Sequence, residues 1–445
     1  MAIGTNPILD NNYAPTLNKI HLFVKRKTQI PLLPYPCTLL SYPFSLYTSP
    51  MQSFAILGAN PDFSLAEIEA VTGQTPTWNT AQAAIFDDVA WNLPALQNTL
   101  GGVQKLGVIL GSIGKDETFD GVVDMLALDL TSDHLAGSRL NIGCSLYAPN
   151  AKGSHLIQSL HRLGMTLKKK AIDAGFSARV VSSKDAALSS VVVKKNNLLM
   201  SGAEYVFLVH KDLIWIGKTE TAQDVDDWAA RDVGKPFRNA KQGMLPPKLA
   251  RMMINLAGIQ PPFTVLDPFC GSGTVLMEAL LLGADKVVGS DINPRAIHDT
   301  QENLKWLQSR YPFLSLKPFA LNPSSAVDAS SHIPPHSINL LVTEPFLGIP
   351  RQGTESDAAV RIAVAELETL YEKSFSALKQ TLTPHARVVI ASPIHFTKTE
   401  TLAPNTVEIM ISLGYTYLPF KTPLKYHREG QYVGREILRF TLNKN

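Results

Sequence analysis

One stretch of the chain has the residue types and spacing of a site for a nucleotide ribose. An apolar segment ends at Asp267 and is followed by a tight turn that contains Gly271 and Gly273. A second apolar segment leads to Asp291, 24 positions after Asp267. Glycines let a backbone approach a ligand closely, and a carboxylate after the second strand can accept hydrogen bonds from two ribose hydroxyls. The pattern predicts a βαβ unit with a helix from Thr274 to about Leu282.

The glycine turn differs from phosphate-binding loops. It has no Lys-Ser/Thr ending, and its Gly-Ser-Gly lacks the third glycine of a dinucleotide fingerprint. The acid before the glycines would repel a pyrophosphate, but it suits a ligand with a cationic amino-acid end, such as S-adenosylmethionine. An ordinary glycine-rich turn is the alternative. The candidate cofactor-binding residues of this region are Asp267, Phe269, Gly271, Gly273, Thr274, Asp291 and Asn293.

The composition is that of a large folded protein without a strong charge bias. The 445 residues are enough for two or three domains, and a net charge of +3 neither demands nor excludes a nucleic-acid partner. Cys37, Cys144 and Cys270 are far apart, which predicts no disulfide framework and no metal site and fits a reducing cytoplasm. Charges and prolines interrupt every apolar run, so we expect no membrane partner.

Basic residues are concentrated between positions 231 and 251, where six of them stand against one acid, Asp232. Such a segment can lie along a phosphate backbone while Phe237 packs on a base or on the cofactor. A charged domain linker is the alternative here, and a solvated helix face is the simpler interpretation of the lysine run at 168–170. The candidate RNA-binding residues are Lys168, Lys169, Lys194, Lys195, Arg231, Lys235, Arg238, Lys241, Lys248, Arg428 and Arg435.

Several segments together resemble one enzyme family. They are Arg231-Asp232, Pro236, the stretches 243–250 and 254–257, and the glycine turn at 267–274. These segments are similar to the THUMP-associated, S-adenosylmethionine-dependent tRNA (guanine-N2) methyltransferases, and most of all to the group that modifies guanosine at the tenth tRNA position. The resemblance runs from about Met51 to the end. It implies methylation of the exocyclic amine of a guanosine in tRNA. The sequence does not determine whether a small activator subunit also takes part.

The resemblance also implies a catalytic segment after a strand predicted at 338–342. The family motif there is Asp/Asn-Pro-Pro-Tyr/Phe, and this chain has Thr343, Glu344, Pro345 and Phe346. Either the carboxylate has moved by one place, or Thr343 and a backbone carbonyl accept the amine hydrogens, or the protein binds tRNA without methylating it. An amino-methyltransferase for ribosomal RNA or DNA is a further alternative. By analogy, Asp328 receives the adenine amino group of the cofactor.

The chain divides into four predicted parts. Residues 1–50 hold seven prolines without a steady period, which predicts a flexible or non-native extension. Residues 51–220 form an α+β RNA-binding region, which the resemblance interprets as ferredoxin-like plus THUMP-like. Its first helix is expected to open at a capping box, Ser64 to Glu67. Residues 221–256 are a basic linker and a first helix, and 257–445 are an α/β, Rossmann-like class I methyltransferase domain.

Overall fold

The computed structural model describes residues 52–87, 90–148, 155–238 and 244–443. The predicted extension at 1–50 and the RNA-binding candidate Lys241 lie outside these ranges. Within the described part, the strands form two sheets, one from residues 53–222 and one from residues 264–442. No helix of the described residues combines the length and the apolar character needed to cross a membrane.

The first sheet has eight strands in the order β2-β3-β1-β4-β8-β7-β5-β6. Its strands are β1 (Ser53–Leu57), β2 (Trp78–Asn79), β3 (Ala83–Phe86), β4 (Val103–Gly114), β5 (Arg139–Tyr147), β6 (Ser177–Val181), β7 (Gly202–Val209) and β8 (Leu213–Ala222). The helices of this part are α1 (Pro61–Thr72), α2 (Leu93–Thr99), α3 (Val123–Ser132), α4 (His155–Asp173), α5 (Ser190–Lys195) and α6 (Val225–Asp232). Only the pairs of β5 with β6 and β7 are parallel, so this is a mixed α+β arrangement.

The prediction that helix α1 opens at a capping box is wrong. The helix begins three residues earlier, at Pro61, whose fixed φ suits a first helical turn. The Ser64 hydroxyl instead donates to the carbonyl of Gly102 at 2.6 Å. The Glu67 carboxylate accepts the N–H groups of Gly101 and Gly102, each at 2.8 Å. Both side chains therefore hold the start of β4 against the helix rather than the helix end.

The second sheet has nine strands, seven of them in the order β11-β10-β9-β12-β13-β17-β15. The strands are β9 (Thr264–Asp267), β10 (Lys286–Ser290), β11 (Phe319–Asn322), β12 (Ile338–Thr343), β13 (Leu382–Phe396), β14 (Thr401–Leu402), β15 (Tyr415–Tyr417), β16 (Leu424–Tyr426) and β17 (Val433–Leu442). The helices are α7 (Pro247–Leu256), α8 (Thr274–Leu281), α9 (Pro294–Arg310), α10 (Asp357–Leu378) and α11 (Thr406–Ser412). Strands β9 to β13 are parallel, and β14 to β17 add antiparallel pairs.

The parallel strands are buried because helices cover both faces of the sheet. On one face, α7 and α8 pack on β9 and β12 through residues such as Met253, Leu276 and Val265. On the other face, α10 packs through Tyr371 and Phe375. Strands covered in this way read as continuous apolar runs. The helix predicted from Thr274 is confirmed as α8.

Candidate active site

The strand order places the glycine turn at a switch point of the parallel sheet. From β9 the chain continues through β10 and β11 on one side, whereas β12 and β13 lie on the other side. In open α/β sheets, ligands bind beyond the carboxyl ends of the strands at such a point. Asp267 is the last residue of β9, and Thr343 is the last residue of the adjacent β12. The two sequence motifs therefore open on the same edge.

Asp267 connects these two strand ends. It is 2% exposed and accepts hydrogen bonds from the Thr343 hydroxyl at 2.7 Å and from the Phe269 N–H at 3.1 Å. Burial raises the pKa of this carboxyl to about 7, against the effect of both donors, and the carboxyls of Asp291 and Glu344 raise it further. A cationic ligand beside it would favour the ionised form.

The glycine turn leaves room for a ligand next to a second carboxylate. Gly271 has φ 52°, in the left-handed region, and a Cβ built on it would meet no atom within 4 Å. Gly273 has φ 79°, and its Cβ would lie 2.8 Å from Cγ2 of Thr300. Asp291 Oδ2 accepts the Gly271 N–H at 3.0 Å, and the Thr300 hydroxyl donates to the Gly271 carbonyl at 2.7 Å. The open face of Gly271 beside Asp291 fits a ribose site.

The basic linker supports this turn from behind, a role that the sequence reasoning missed. Lys235 Nζ donates to Thr274 Oγ1 at 2.8 Å and to Ser272 Oγ at 3.2 Å. Asn303 Nδ2 donates to the carbonyls of Ser272 and Phe237, and Asn303 Oδ1 accepts the Phe237 N–H. Burial lowers the pKa of Lys235 to about 8. A lysine between glycine and proline carries no sequence signal that separates this role from RNA binding.

Arg231 is likewise buried, in an ion pair with Glu278 of α8. Its Nε lies 2.7 Å from Glu278 Oε1, while Arg251 Nη2 lies 2.7 Å from Glu278 Oε2. The Trp228 ring packs against both guanidinium groups, with centroid distances of 4.3 and 4.9 Å. The burial and partners of Arg231 and Lys235 contradict their assignment to RNA binding, and we correct it to a structural role.

The other RNA-binding candidates divide by exposure. Lys169, Lys195, Arg238 and Arg428 are exposed, and Lys168 is half-buried. Lys194 is exposed but pairs with Asp224 at 2.5 Å. Lys248 is half-buried, with its Nζ bonded to Gln223 and lying 5.5 Å from the Trp228 centroid. Arg435 is buried against Glu344, so its side chain does not face outward and its assignment to RNA binding is also corrected.

The segment after β12 combines a buried carboxyl with a half-exposed ring. Glu344 forms an ion pair with Nε of Arg435, which lies on β17. Burial raises the pKa of Glu344, and the Arg435 charge opposes this shift. Phe346 is 50% exposed, and its carbonyl accepts a hydrogen bond from the Tyr371 hydroxyl at 2.7 Å. The Thr343 hydroxyl is fully buried and points to Asp267, not to the mouth of the site.

Two further cofactor candidates have local partners. Asn293 caps α9, because its Oδ1 accepts the Arg295 N–H at 3.0 Å. Asn293 N–H also donates to Asp291 Oδ1 at 2.9 Å, which fixes that carboxylate. Asp328 is exposed after β11, and its Oδ2 accepts the Ser325 hydroxyl at 2.6 Å. Its role at the adenine stays a prediction.

Comparison with known proteins places this geometry in a class. Residues 237–311 match the sequence model of a family described as RMKL-like, methyltransferase domain. The tRNA (guanine(10)-N2)-dimethyltransferase of Methanothermobacter thermautotrophicus is 32% identical over 173 residues, 39% of this chain and 45% of that protein. Its namesake from Methanocaldococcus jannaschii is 38% identical over 107 residues, 24% of this chain and 30% of that protein. The matched part therefore spans less than half the length of these relatives.

Among solved structures, TrmN from Thermus thermophilus has a TM-score of 0.51 and 16% identity, over 88% of this chain and 99% of that one. At this identity the likeness shows the fold. The fold is Rossmann-like, and residues 237–311 of it are similar to a methyltransferase domain. The resemblance to the group that modifies guanosine at the tenth tRNA position is confirmed, because the curated relatives carry that name. The THUMP-like part stays a prediction.

Proposed function

We propose that this protein uses S-adenosylmethionine to methylate the exocyclic amine of a guanosine in tRNA, in the cytoplasm. The observation that carries the proposal is the hydrogen bond between Asp267 and Thr343, 2.7 Å long and buried. This bond joins the ends of β9 and β12, so the glycine turn and the Glu344–Phe346 segment share one edge of the sheet. The names of the relatives supply the RNA and the base.

The residues at the glycine turn fit the proposed cofactor. Asp291 would accept hydrogen bonds from the ribose hydroxyls, and the backbone at Gly271 offers the close approach that a nucleoside needs. Asp267 would stabilise the cationic amino end, which in turn would favour its ionised form. When bound, S-adenosylmethionine supplies a methyl group on a sulfonium, an electrophile that needs no metal or phosphate. Asp328 is the proposed acceptor for the adenine amino group.

The segment after β12 would prepare the target amine. The lone pair of an exocyclic amine is delocalised into the base, so an oxygen must accept its hydrogens before the lone pair can turn toward the methyl group. Glu344 is the acidic group at this position, and Arg435 favours its ionised form. The half-exposed Phe346 ring would stack on the base. The chain itself then needs only to position the amine, exclude water and accept a proton.

Methyl incorporation tests the proposal directly. Bulk tRNA that lacks the modification is incubated with the full chain and methyl-labelled S-adenosylmethionine, and the nucleosides are then separated. We expect label in N2-methylated guanosine. Label in ribosomal RNA or DNA but not in tRNA would support the other amino-methyltransferases. Retained tRNA binding without any label would indicate a binding protein with a disabled methyl site.

A variant at the ribose position checks the cofactor assignment. Asp291→Ala should weaken S-adenosylmethionine binding by about 1–3 kcal/mol, because paired hydroxyls lose a charged acceptor. Asp285→Ala is the matched control, since Asp285 is an exposed acid just before β10 that pairs with Lys317. Titration calorimetry that gives equal affinities for both variants would remove Asp291 from the ribose role.

A further inference from the structure

The segment between β12 and α10, residues 344–356, is described in full and contains neither helix nor strand. Contacts with three neighbouring elements hold it. Arg435 pairs with Glu344, the Tyr371 hydroxyl donates to the carbonyl of Phe346, and Arg351 Nη1 donates to the last carbonyl of β13 at 2.8 Å. Long irregular segments inside a compact domain are typically functional. This one carries the proposed acceptor and the proposed stacking ring.

A fourth side chain, His395, lies under the middle of this segment. It belongs to β13, where its backbone is paired with Val433 on one side and Leu402 on the other, so its position is fixed. A Cβ built on Gly348 would lie 3.6 Å from Cε1 of the imidazole. Gly348 has φ 94°, a conformation that favours glycine. The ring therefore lies beside Gly348, two residues after Phe346.

The imidazole is buried without partners. His395 is 1% exposed, and neither Nδ1 nor Nε2 has a hydrogen-bond partner among the residues that the structure describes. Burial and the nearby charge of Arg351 lower its pKa to about 4, so the ring is neutral, with one donor and one acceptor. Leaving such groups unpaired destabilises the fold, and an apolar side chain of similar size would avoid this. Each unpaired group of this kind needs an explanation.

We propose that His395 is a positioning residue, whose imidazole hydrogen-bonds the backbone of residues 345–348 when this segment closes on the target base. The inference rests on the proposed function. The contacts described above fix Glu344, Phe346 and Arg351, whereas the peptide groups of residues 347–349 make no hydrogen bond among the described residues. A partner at these peptides fixes the adjoining Phe346 ring, and thereby the distance between the amine and the methyl group. His395 acts through the segment and does not itself touch the base.

Two variants separate this role from a packing role. His395→Met keeps a similar volume and removes the hydrogen-bonding groups, whereas His395→Gln keeps one donor and one acceptor. We expect the Met variant to melt at the wild-type temperature or above, because an unpaired buried polar group is gone. Its turnover number should fall about tenfold or more, because misplacement of reacting groups lowers the rate of the chemical step. The Gln variant should recover most of the turnover.

The affinities for tRNA and S-adenosylmethionine should stay within about twofold in both variants, since neither binding surface includes His395. Ser374→Ala is the matched control. The Ser374 hydroxyl is also buried without a partner among the described residues, near the end of α10. Helix α10 runs from the carboxyl edge of the sheet back to the opposite edge, so this change should leave turnover unaltered.

The outcomes distinguish this inference from the proposed function. A wild-type chain that transfers no methyl group to tRNA overturns the proposed function, and this inference with it. An active wild-type chain with a fully active Met variant overturns this inference alone. So does a Met variant that melts several degrees lower or does not fold, because the imidazole would then be part of the packing. A Gln variant no more active than the Met variant would also exclude a hydrogen-bonding role.

Discussion

At the scale of single residues, two buried carboxyls at neighbouring strand ends differ in their partners. Asp267 accepts from a hydroxyl and a backbone N–H, both neutral donors. Glu344 pairs with the guanidinium of Arg435, a charged donor that stabilises the carboxylate. This charged partner favours the ionised form of Glu344, which supports its proposed role as the acceptor of the amine hydrogens. The hydroxyl of Thr343 is fully buried and donates to Asp267, which favours the shifted carboxylate over Thr343 as the acceptor.

Substitutions in this segment should therefore have unequal effects. Glu344→Gln should lower turnover far more than tRNA affinity, because the carboxylate acts where charge develops. Phe346→Ala should lower both, since stacking on a base contributes about 1–3 kcal/mol. Steady-state kinetics and tRNA titrations on the same preparations measure the effects on turnover and on tRNA affinity separately.

Thr343→Val serves as the comparison for Glu344→Gln. The change removes a donor from Asp267, so we expect weaker binding of S-adenosylmethionine with nearly normal turnover at saturation. A severe loss of turnover with Thr343→Val, together with an unaffected Glu344→Gln variant, would place the amine acceptor at Thr343. If none of the three variants alters methylation, the target base does not sit at residues 343–346.

The raised pKa of Asp267 predicts a pH dependence of stability. Its folded pKa of about 7 lies above the unfolded value of about 3.9, so the folded state binds the proton more tightly. The stabilising contribution of protonated Asp267 to the free energy of unfolding is complete below about pH 4 and is lost as the pH rises to about 7. Over this window it can change the free energy of unfolding by at most about 1.4 kcal/mol per pH unit.

Urea unfolding of the wild type and of Asp267→Asn between pH 5 and 8 measures this contribution. The variant should show a shallower decline in the free energy of unfolding. Some decline should persist, because burial also raises the pKa of Glu67 to about 7. Parallel curves for the two proteins would show that Asp267 is ionised at acidic pH in the folded state.

At the scale of elements, one carboxylate ties together three helices around the cofactor turn. Glu278 of α8 is fully buried and pairs with Arg231 of α6 and Arg251 of α7. Helix α8 starts directly at the glycine turn, so these pairs connect the basic linker to that turn. Asp227 supplies a second carboxylate to Arg231, so two acids compensate two guanidinium groups that are almost fully removed from water.

Removing that shared charge should destabilise the protein strongly. Among the described residues, Glu278→Gln leaves the buried guanidinium of Arg251 without an ion-pair partner and leaves Arg231 paired only with Asp227, and we expect a loss of about 3–5 kcal/mol in the free energy of unfolding. Asp285→Asn is the control, because it breaks an ion pair with Lys317 that is partly exposed and should cost less than about 1 kcal/mol. Urea unfolding compares the two. Similar small losses for both would show that water reaches the Glu278 cluster.

At the scale of the whole molecule, the exposed RNA-binding candidates lie both in the part of the chain that forms the first sheet and in the part that forms the second sheet. Lys169 lies near the end of α4 and Lys195 at the end of α5, and both are exposed. Arg238 lies in the basic linker, and Arg428 lies between β16 and β17. The proposed RNA-binding residues are therefore the exposed ones, and tRNA would have to touch both the α+β region and the methyltransferase domain.

Salt dependence tests this division of the basic residues. Changing Lys169 and Lys195 to Gln should weaken tRNA binding and lower the slope of log affinity against log salt, by about 0.7–0.9 for each phosphate that is no longer neutralised. Affinity for S-adenosylmethionine should be unchanged. Lys317→Gln, before the amino end of β11, is the control and should leave the slope unaltered. An unchanged slope in the double variant would remove both lysines from the RNA surface.

The sequence by itself determined the local elements around the site. The glycine turn, helix α8 and the position of Glu344 after a strand all depend on residues a few positions apart, whose periodicity and turn chemistry are visible in the chain. The resemblance likewise rested on short contiguous segments, and the curated relatives confirm it.

Only the tertiary structure decided which charges are buried. Lys235 meets Thr274 across 39 positions, Arg231 meets Glu278 across 47, and Arg435 meets Glu344 across 91. Ser64 and Glu67, which were predicted to form a capping box, instead hydrogen-bond the backbone just before β4. A basic residue has the same sequence signature whether it faces a phosphate or a buried carboxylate. Its role depends on the desolvation and the partner that the fold brings to it, and neither of these is local in the chain.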